Sequence, residues 1–315
     1  MDLLVLSQNQ VRQLLDLDEM LDALAEGFMA LSQGRVDAPG RTQLTVPDAG
    51  FMHVMPAWLP GAPMTVKLVT VFAGNREIGL PGHQALICAF DVATGAPVAV
   101  MDGEYITAMR TAGGAALSAR LLSRKDARVL AIIGAGVQGQ SHLTVVARVR
   151  DFEEIRIASL YFADAQGLAS MHPKARALES YEDAVRGADV VCLCTSSGSP
   201  VIRADWLLPG THVTSVGFAP PGGELPRDVI QQGRLFVETR RAFEPPPVGC
   251  GELAGLDPAT GTELGEVLSG KRRGRLSETE TTVYKSMGHA MEDLIAGNLV
   301  YRRAKQQGVG THVHL

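Results

Sequence analysis

Val129-Leu-Ala-Ile-Ile-Gly134-Ala-Gly136-Val-Gln-Gly139 is the stretch on which the fold turns. The apolar run Val129 to Ile133 reads as a strand, the glycines as a tight turn, and Gln140 to Val149 as a helix. A bare G-x-G-x-x-G is weak evidence. Set between a strand and a helix, it has the context that dinucleotide binding requires. Gly134 permits the turn, Gly136 lets the backbone approach a pyrophosphate, and Gly139 lets helix and strand pack closely. The pyrophosphate would rest on exposed N–H groups at the positive end of the helix. Gly134, Ala135, Gly136 and Gly139 are therefore candidate cofactor residues.

C-terminal to this motif, strands and helices alternate. Glu154 to Ser159, Asp189 to Thr195 and Thr211 to Phe218 read as strands, and Ser180 to Gly187 as a short helix. That alternation implies a parallel sheet with right-handed crossovers. Ala242 to Gly265, with Pro245-Pro246-Pro247, reads as irregular, and Ser277 to Arg303 as a long closing helix region. N-terminal to the motif the texture differs. Asp2 to Leu6 reads as a strand, and Ser7 caps a helix with Gln10 as its capping-box partner. Leu21, Leu24, Ala25, Phe28 and Leu31 recur at helical spacing up to Gly34. Arg41 to Val100 then reads as antiparallel strands broken by Pro/Gly turns, followed by an alanine-rich helix, Thr107 to Leu122.

At roughly 100–200 residues per domain, 315 residues suggest two domains. Hydrophobic residues at 46% and charged residues at 20% exclude a disordered chain. A net charge of −5 leaves no basic excess for nucleic acid. Four cysteines are too few for a disulfide scaffold. Cys192 and Cys194 read as small buried thiols, and no metal is expected. The N-terminus carries early acids and does not read as a signal peptide, and no apolar run approaches the ~20 residues of a membrane span. The chain reads as soluble and cytoplasmic.

The dinucleotide fingerprint calls for an acid about 20 residues on, to hold the ribose. Here the second strand ends at Ser159 and continues Leu160-Tyr161-Phe162, with no acid before Asp164 and no arginine for a 2′-phosphate. The adenosine end must be held by stacking, hydroxyls such as that of Ser159, and backbone. A missing acid removes repulsion against a 2′-phosphate, so NADPH or NADH is expected, with a slight lean to NADPH. Three basic residues need explanation in the first sheet region: Arg41 at a strand start, Lys67 between Val66 and Leu68, and Arg110 early in its helix.

Over essentially its whole length the chain resembles the ornithine cyclodeaminase/mu-crystallin family. The resemblance is carried by Arg41-Thr42, Met55-Pro56-Ala57, Thr65 to Thr70 and Val100-Met101-Asp102-Gly103. It continues through Ile106 to Ala112, Ile133 to Gln138, Thr281 to Gly288 and Glu292-Asp293. It implies an α/β fold in which a Rossmann-type parallel-sheet domain (119–289) is inserted into a smaller α+β substrate-binding and dimerisation domain (1–118 with 290–315). It further implies that Arg41 and Arg110 pair with a substrate carboxylate, and that Lys67 lies beside the reacting carbon and nitrogen and passes a proton. Val137, Gln138, Thr195, Val216, Ser286 and Met287 would touch the cofactor. His83 and Gln84 resemble a pair that lines the cofactor mouth in mu-crystallin-like members.

Departures from the family pattern narrow the chemistry. Cyclodeaminases of the family carry an aspartate matched here by Ala219, a glutamate matched by His53, and a lysine matched by Gly223. Cyclodeamination needs a base on the substrate amine through several proton transfers, and both carboxylates are missing. A reductase needs only to hold the carboxylate, present the imine carbon and protonate nitrogen. The expectation is an NAD(P)H-dependent homodimeric reductase. Its substrate would be a carboxylate-bearing imine, cyclic or formed from a 2-oxo acid and an amine. His53 is a possible substitute for the lost acid. Alternatives are an ornithine cyclodeaminase and a non-catalytic small-ligand binder.

Overall fold

The computed structural model describes residues 2–314. In order the elements are β1 (Asp2–Leu6), α1 (Gln8–Leu14), α2 (Leu17–Ser32), β2 (Thr42–Val46), β3 (Gly50–Ala57), β4 (Met64–Val71), β5 (His83–Phe90), β6 (Pro97–Asp102) and α3 (Glu104–Leu122). Then come β7 (Val129–Ile133), α4 (Val137–Val145), β8 (Glu154–Ala158), α5 (Phe162–Ala169), β9 (Ala175–Ala177), α6 (Tyr181–Val185), β10 (Val190–Leu193) and β11 (His212–Ser215). The chain closes with α7 (Arg227–Gln232), β12 (Arg234–Val237), β13 (Thr262–Glu263), α8 (Leu264–Leu268), β14 (Thr282–Lys285), α9 (Ala290–Gln307) and β15 (Thr311–His314). Two compact units result. One holds the chain up to Arg110 together with His289 onward, the other Thr111–Gly288.

The first unit is built on a seven-stranded sheet of order β15-β1-β6-β5-β4-β3-β2. β2 to β6 form an antiparallel meander, as their alternating sequence predicts, and β1 joins β6 in parallel. Ser7 heads α1 with its N–H donating to Gln10 Oε1 at 2.9 Å, the capping-box pairing read from the sequence. One sheet face is buried: Met55 and Ala57, Val69, Ala85, Ile87 and Ala89, Ala99 and Met101. Helix α9 lies on this face, over β3, β4 and β5, and α2 packs along α9. Gly27 makes that helix pairing close, because a Cβ there would meet Met291 Sδ at 2.5 Å.

The second unit is an eight-stranded, wholly parallel sheet of order β13-β12-β14-β11-β10-β7-β8-β9. β10, β11 and β14 are buried at every residue, which is how a parallel strand reads when both faces are covered. After β9 the chain returns to the other side of β7, so the order reverses between β7 and β10. Ligands of open parallel sheets bind beyond the C-terminal strand ends at such a reversal.

One expectation is corrected. Ser277 to Arg303 is not a continuous helical region. Thr282–Lys285 is β14, a strand between β11 and β12, and the helix begins only at Ala290. The β-branched pair Thr282-Val283 favours a strand, and Gly288, at φ 70°, breaks the chain before the helix cap. Among the described residues, no helix is long and apolar enough to cross a membrane, and no group of His, Cys, Asp or Glu side chains could hold a metal ion.

Candidate active site

In the first unit, β3 and β4 alternate so that His53 and Lys67 point to the face beneath α9. Lys67 is only 2% exposed, and a lysine so buried needs a carboxylate. Asp293 supplies it, with Oδ2 2.6 Å from Lys67 Nζ. The other oxygen of Asp293 accepts from Arg110 Nε at 2.9 Å, while Arg110 Nη1 donates to Glu292 Oε2 at 2.9 Å. Arg110 sits in the second turn of α3, whose start is capped by Asp102 accepting from the Tyr105 N–H at 2.9 Å. Glu292 and Asp293 lie in the first turn of α9, where the helix dipole favours negative charge. Glu292 also accepts from the His289 N–H at 2.8 Å, and His289 Nδ1 accepts from the Met291 N–H at 3.1 Å. The acids are thus fixed by the helix cap as well as by their cations.

These contacts tune the protons. Burial and the Arg110 charge push Lys67 down from its ordinary 10.5 to about 8, with Asp293 pulling the other way. Burial would raise Asp293, but Arg110 and Lys67 outweigh it and hold the carboxyl below its usual range. His53 Nε2 lies 2.9 Å from Gln43 Oε1 on β2. Burial, then the charges of Arg41 and Lys67, push His53 down to about 4, so it is a neutral imidazole at pH 7. Arg41 immediately precedes β2, and its charge bears on both His53 and Lys67. The structure therefore brings Lys67, Arg110 and His53 onto one buried face, with Arg41 within electrostatic reach.

In the second unit, every expected cofactor residue falls at the C-terminal edge of the parallel sheet. Gly134 to Gly139 follow β7, Ser159 follows β8, Thr195 follows β10, Val216 follows β11, and Ser286 and Met287 follow β14. Gly134 has φ 107°, a left-handed conformation, and a Cβ there would strike the Cys194 carbonyl at 2.6 Å. A Cβ on Gly139 would lie 2.0 Å from the Gly134 carbonyl. Gly136 differs, since a Cβ there meets nothing within 4 Å. Gly136 is the N-cap of α4, so open space faces the first-turn N–H groups, which have no partner within the helix. This glycine cradle fits a dinucleotide pyrophosphate.

The edge is organised by residues that sequence reading passed over. Glu224, fully buried, accepts from the Thr195 N–H and hydroxyl, the Ser215 hydroxyl, and the Val216 and Gly217 N–H groups, all between 2.6 and 3.2 Å. Glu238 accepts from the Ser286 hydroxyl and the N–H groups of Met287 and Gly288. Lys285, also fully buried, donates to Gly217 O at 2.7 Å and Glu252 Oε1 at 2.8 Å. The signal available in the sequence was an acid in an apolar or glycine-rich setting, as in Gly222-Gly223-Glu224-Leu225 and Leu235-Phe236-Val237-Glu238. In the sequence Asp293 stands out only as part of the Glu292-Asp293 motif. Its pairing with Lys67 could not be read from spacing.

Comparison with known proteins identifies relatives of the whole chain. The model of the ornithine cyclodeaminase/mu-crystallin family matches residues 1–308. Ketimine reductase mu-crystallin of Mus musculus is 38% identical over 285 residues, covering 89% of this chain and 90% of that protein. The structure of Thermococcus litoralis Delta(1)-pyrroline-2-carboxylate reductase, in complex with NADH and L-proline, superposes with a TM-score of 0.93 at 31% identity, covering 98% of this chain and 100% of that one. An archaeal alanine dehydrogenase dimer with bound NAD superposes with a TM-score of 0.90 at 30% identity, each chain covered in full.

Proposed function

We propose that this chain, which belongs to the ornithine cyclodeaminase/mu-crystallin family, is an NAD(P)H-dependent reductase that converts a carboxylate-bearing imine into an amino acid. The observation that carries the reading is the buried Lys67–Asp293–Arg110 cluster in a chain that also carries the glycine cradle. The similarity to ketimine and pyrroline-2-carboxylate reductases supports it.

Bound NAD(P)H supplies the hydride. The rest falls to the chain. Arg41, Lys67 and Arg110 are three cations set against the two carboxylates of Glu292 and Asp293, and the surplus positive charge suits one substrate carboxylate. Lys67, mostly ammonium at neutral pH, gives a proton to the imine nitrogen as the carbon is reduced. The Nζ–H bond breaks, the substrate N–H bond forms, and the lysine is left neutral until solvent reprotonates it. His53, neutral and bonded to Gln43, orients the substrate or a water and does not act as an acid. In the second unit, Gly134, Ala135, Gly136, Val137, Gln138 and Gly139 receive the pyrophosphate, and Ser159, Thr195, Val216, Ser286 and Met287 the rest of the cofactor.

Loss of nicotinamide absorbance on mixing enzyme, NADH or NADPH and a cyclic ketimine acid such as pyrroline-2-carboxylate tests the reading. Assays of 2-oxo acids with ammonia or methylamine extend it to open-chain imines. No cofactor oxidation with any of these substrates would sink it.

A further inference from the structure

We propose that Asp293 is the positioning residue of the proton transfer: one buried carboxylate fixes the Lys67 ammonium and the Arg110 guanidinium against each other and retains the proton that Lys67 delivers. The inference rests on the reading of Lys67 as proton donor.

The division of the carboxylate is the first argument. Oδ2 takes Lys67 Nζ at 2.6 Å and Oδ1 takes Arg110 Nε at 2.9 Å. The group that protonates nitrogen and the group that meets the substrate carboxylate are thereby held at a fixed separation by a residue at a capped helix start. The second argument is the charge around the lysine. From the segment before β2 comes Arg41, from β3 the neutral His53, from β5 His83, from α3 Arg110, and from α9 Asp293 with Glu292 behind Arg110. Burial, Arg110 and Arg41 all drive Lys67 toward the neutral amine, and Asp293 opposes them. Glu292 is turned instead to Arg110 and to its own helix cap. Without Asp293, the lysine loses the charge that keeps it an acid.

The test is the pH dependence of kcat for imine reduction in the whole protein. Asp293→Asn should move the alkaline limb to lower pH by about one unit or more, the usual effect of removing an opposite charge in contact. Glu292→Gln should raise KM and leave that limb in place. Asp293→Glu keeps the charge but displaces it by one methylene. It should retain the limb and lower kcat on the order of tenfold or more. If Asp293→Asn is folded but inactive, the chain's six lysines make a 13C-lysine NMR titration practicable, with Lys67 expected to titrate below its native value. An unmoved limb or titration in Asp293→Asn overturns the proposal, as do an equal shift in Glu292→Gln and native kcat in Asp293→Glu. Lys67→Met separates the two failures. Native kcat in Lys67→Met removes the lysine reading itself. A large loss there, with Asp293→Asn unshifted, removes only the role of Asp293.

Discussion

In the proposed reaction Lys67 is an acid in one direction and a base in the other, and its position near 8 makes both accessible. Reduction consumes the ammonium, so kcat for imine reduction should be flat below about pH 8 and fall above it. Amine oxidation, the reverse, consumes the free amine and should rise through the same pH. Initial rates in both directions at saturating substrate, between about pH 6 and 10, should give mirror-image limbs. His53 stays neutral far below this window, so no limb should appear near the ordinary histidine value of about 6.5. Limbs that do not coincide would take Lys67 out of the proton transfer. Sequence alone marked Lys67 as awkward, a lysine inside an apolar strand. The carboxylate that explains it lies on α9, and its other partner, Arg110, is 183 residues away from it. No local pattern links residues so distant, and only the fold joins them.

Among the elements, the β7–α4 turn was legible because its physics is local. Gly134 takes a left-handed φ in the turn itself, Gly139 answers a clash five residues back and Gly136 an opening, and Gly136 and Gly139 can be told apart by experiment. Alanine at Gly136 keeps an ordinary backbone, since its φ is −77° and its Cβ meets nothing, but the methyl occupies the space facing the helix N–H groups. Gly136→Ala should leave the melting temperature near native and weaken NAD(P)H binding by about tenfold or more, a cost of roughly 1.4 kcal/mol. Gly139→Ala drives a Cβ into the Gly134 carbonyl and should lower the melting temperature as well. Thermal melts and fluorescence titration of the cofactor check the pair, and equal melting losses would contradict this division of roles. The last strand of the parallel sheet was not legible for the opposite reason. β14 is buried along its whole length, so it shows no alternation. Its pairing with β11 and β12 depends on segments far away in sequence, and from sequence alone it reads as part of the α9 helix region. The antiparallel meander is legible, because β3 to β6 alternate between a covered and an open face.

For the molecule as a whole, proton inventory and surface chemistry each make a demand. Cyclodeamination begins by taking a proton from a substrate ammonium. Here Ala219 offers no carboxylate, His53 is a weak base, and Lys67 is mostly charged at neutral pH. Ornithine with NAD should therefore yield negligible ammonia and proline, and robust turnover would show that the missing acids do not discriminate. The surface argument concerns the sheet face of the first unit opposite α9. By register, Val54, Leu68 and Leu86 form one row across β3, β4 and β5, and Val66, Cys88 and Val100 another across β4, β5 and β6. Leu44 and Leu86 are 55% and 50% exposed. A contiguous apolar sheet face of this kind is what an interface looks like on an isolated chain, and the homodimer expected from the sequence would bury it. A two-fold contact joins the same patch on both subunits, so one charged substitution acts twice. Leu86→Asp should convert a native dimer into a monomer by light scattering, while NAD(P)H titration, which reads the other unit, stays near native. A native chain that is monomeric at micromolar concentration, or a Leu86→Asp variant that still dimerises, would leave this face without the partner assigned to it.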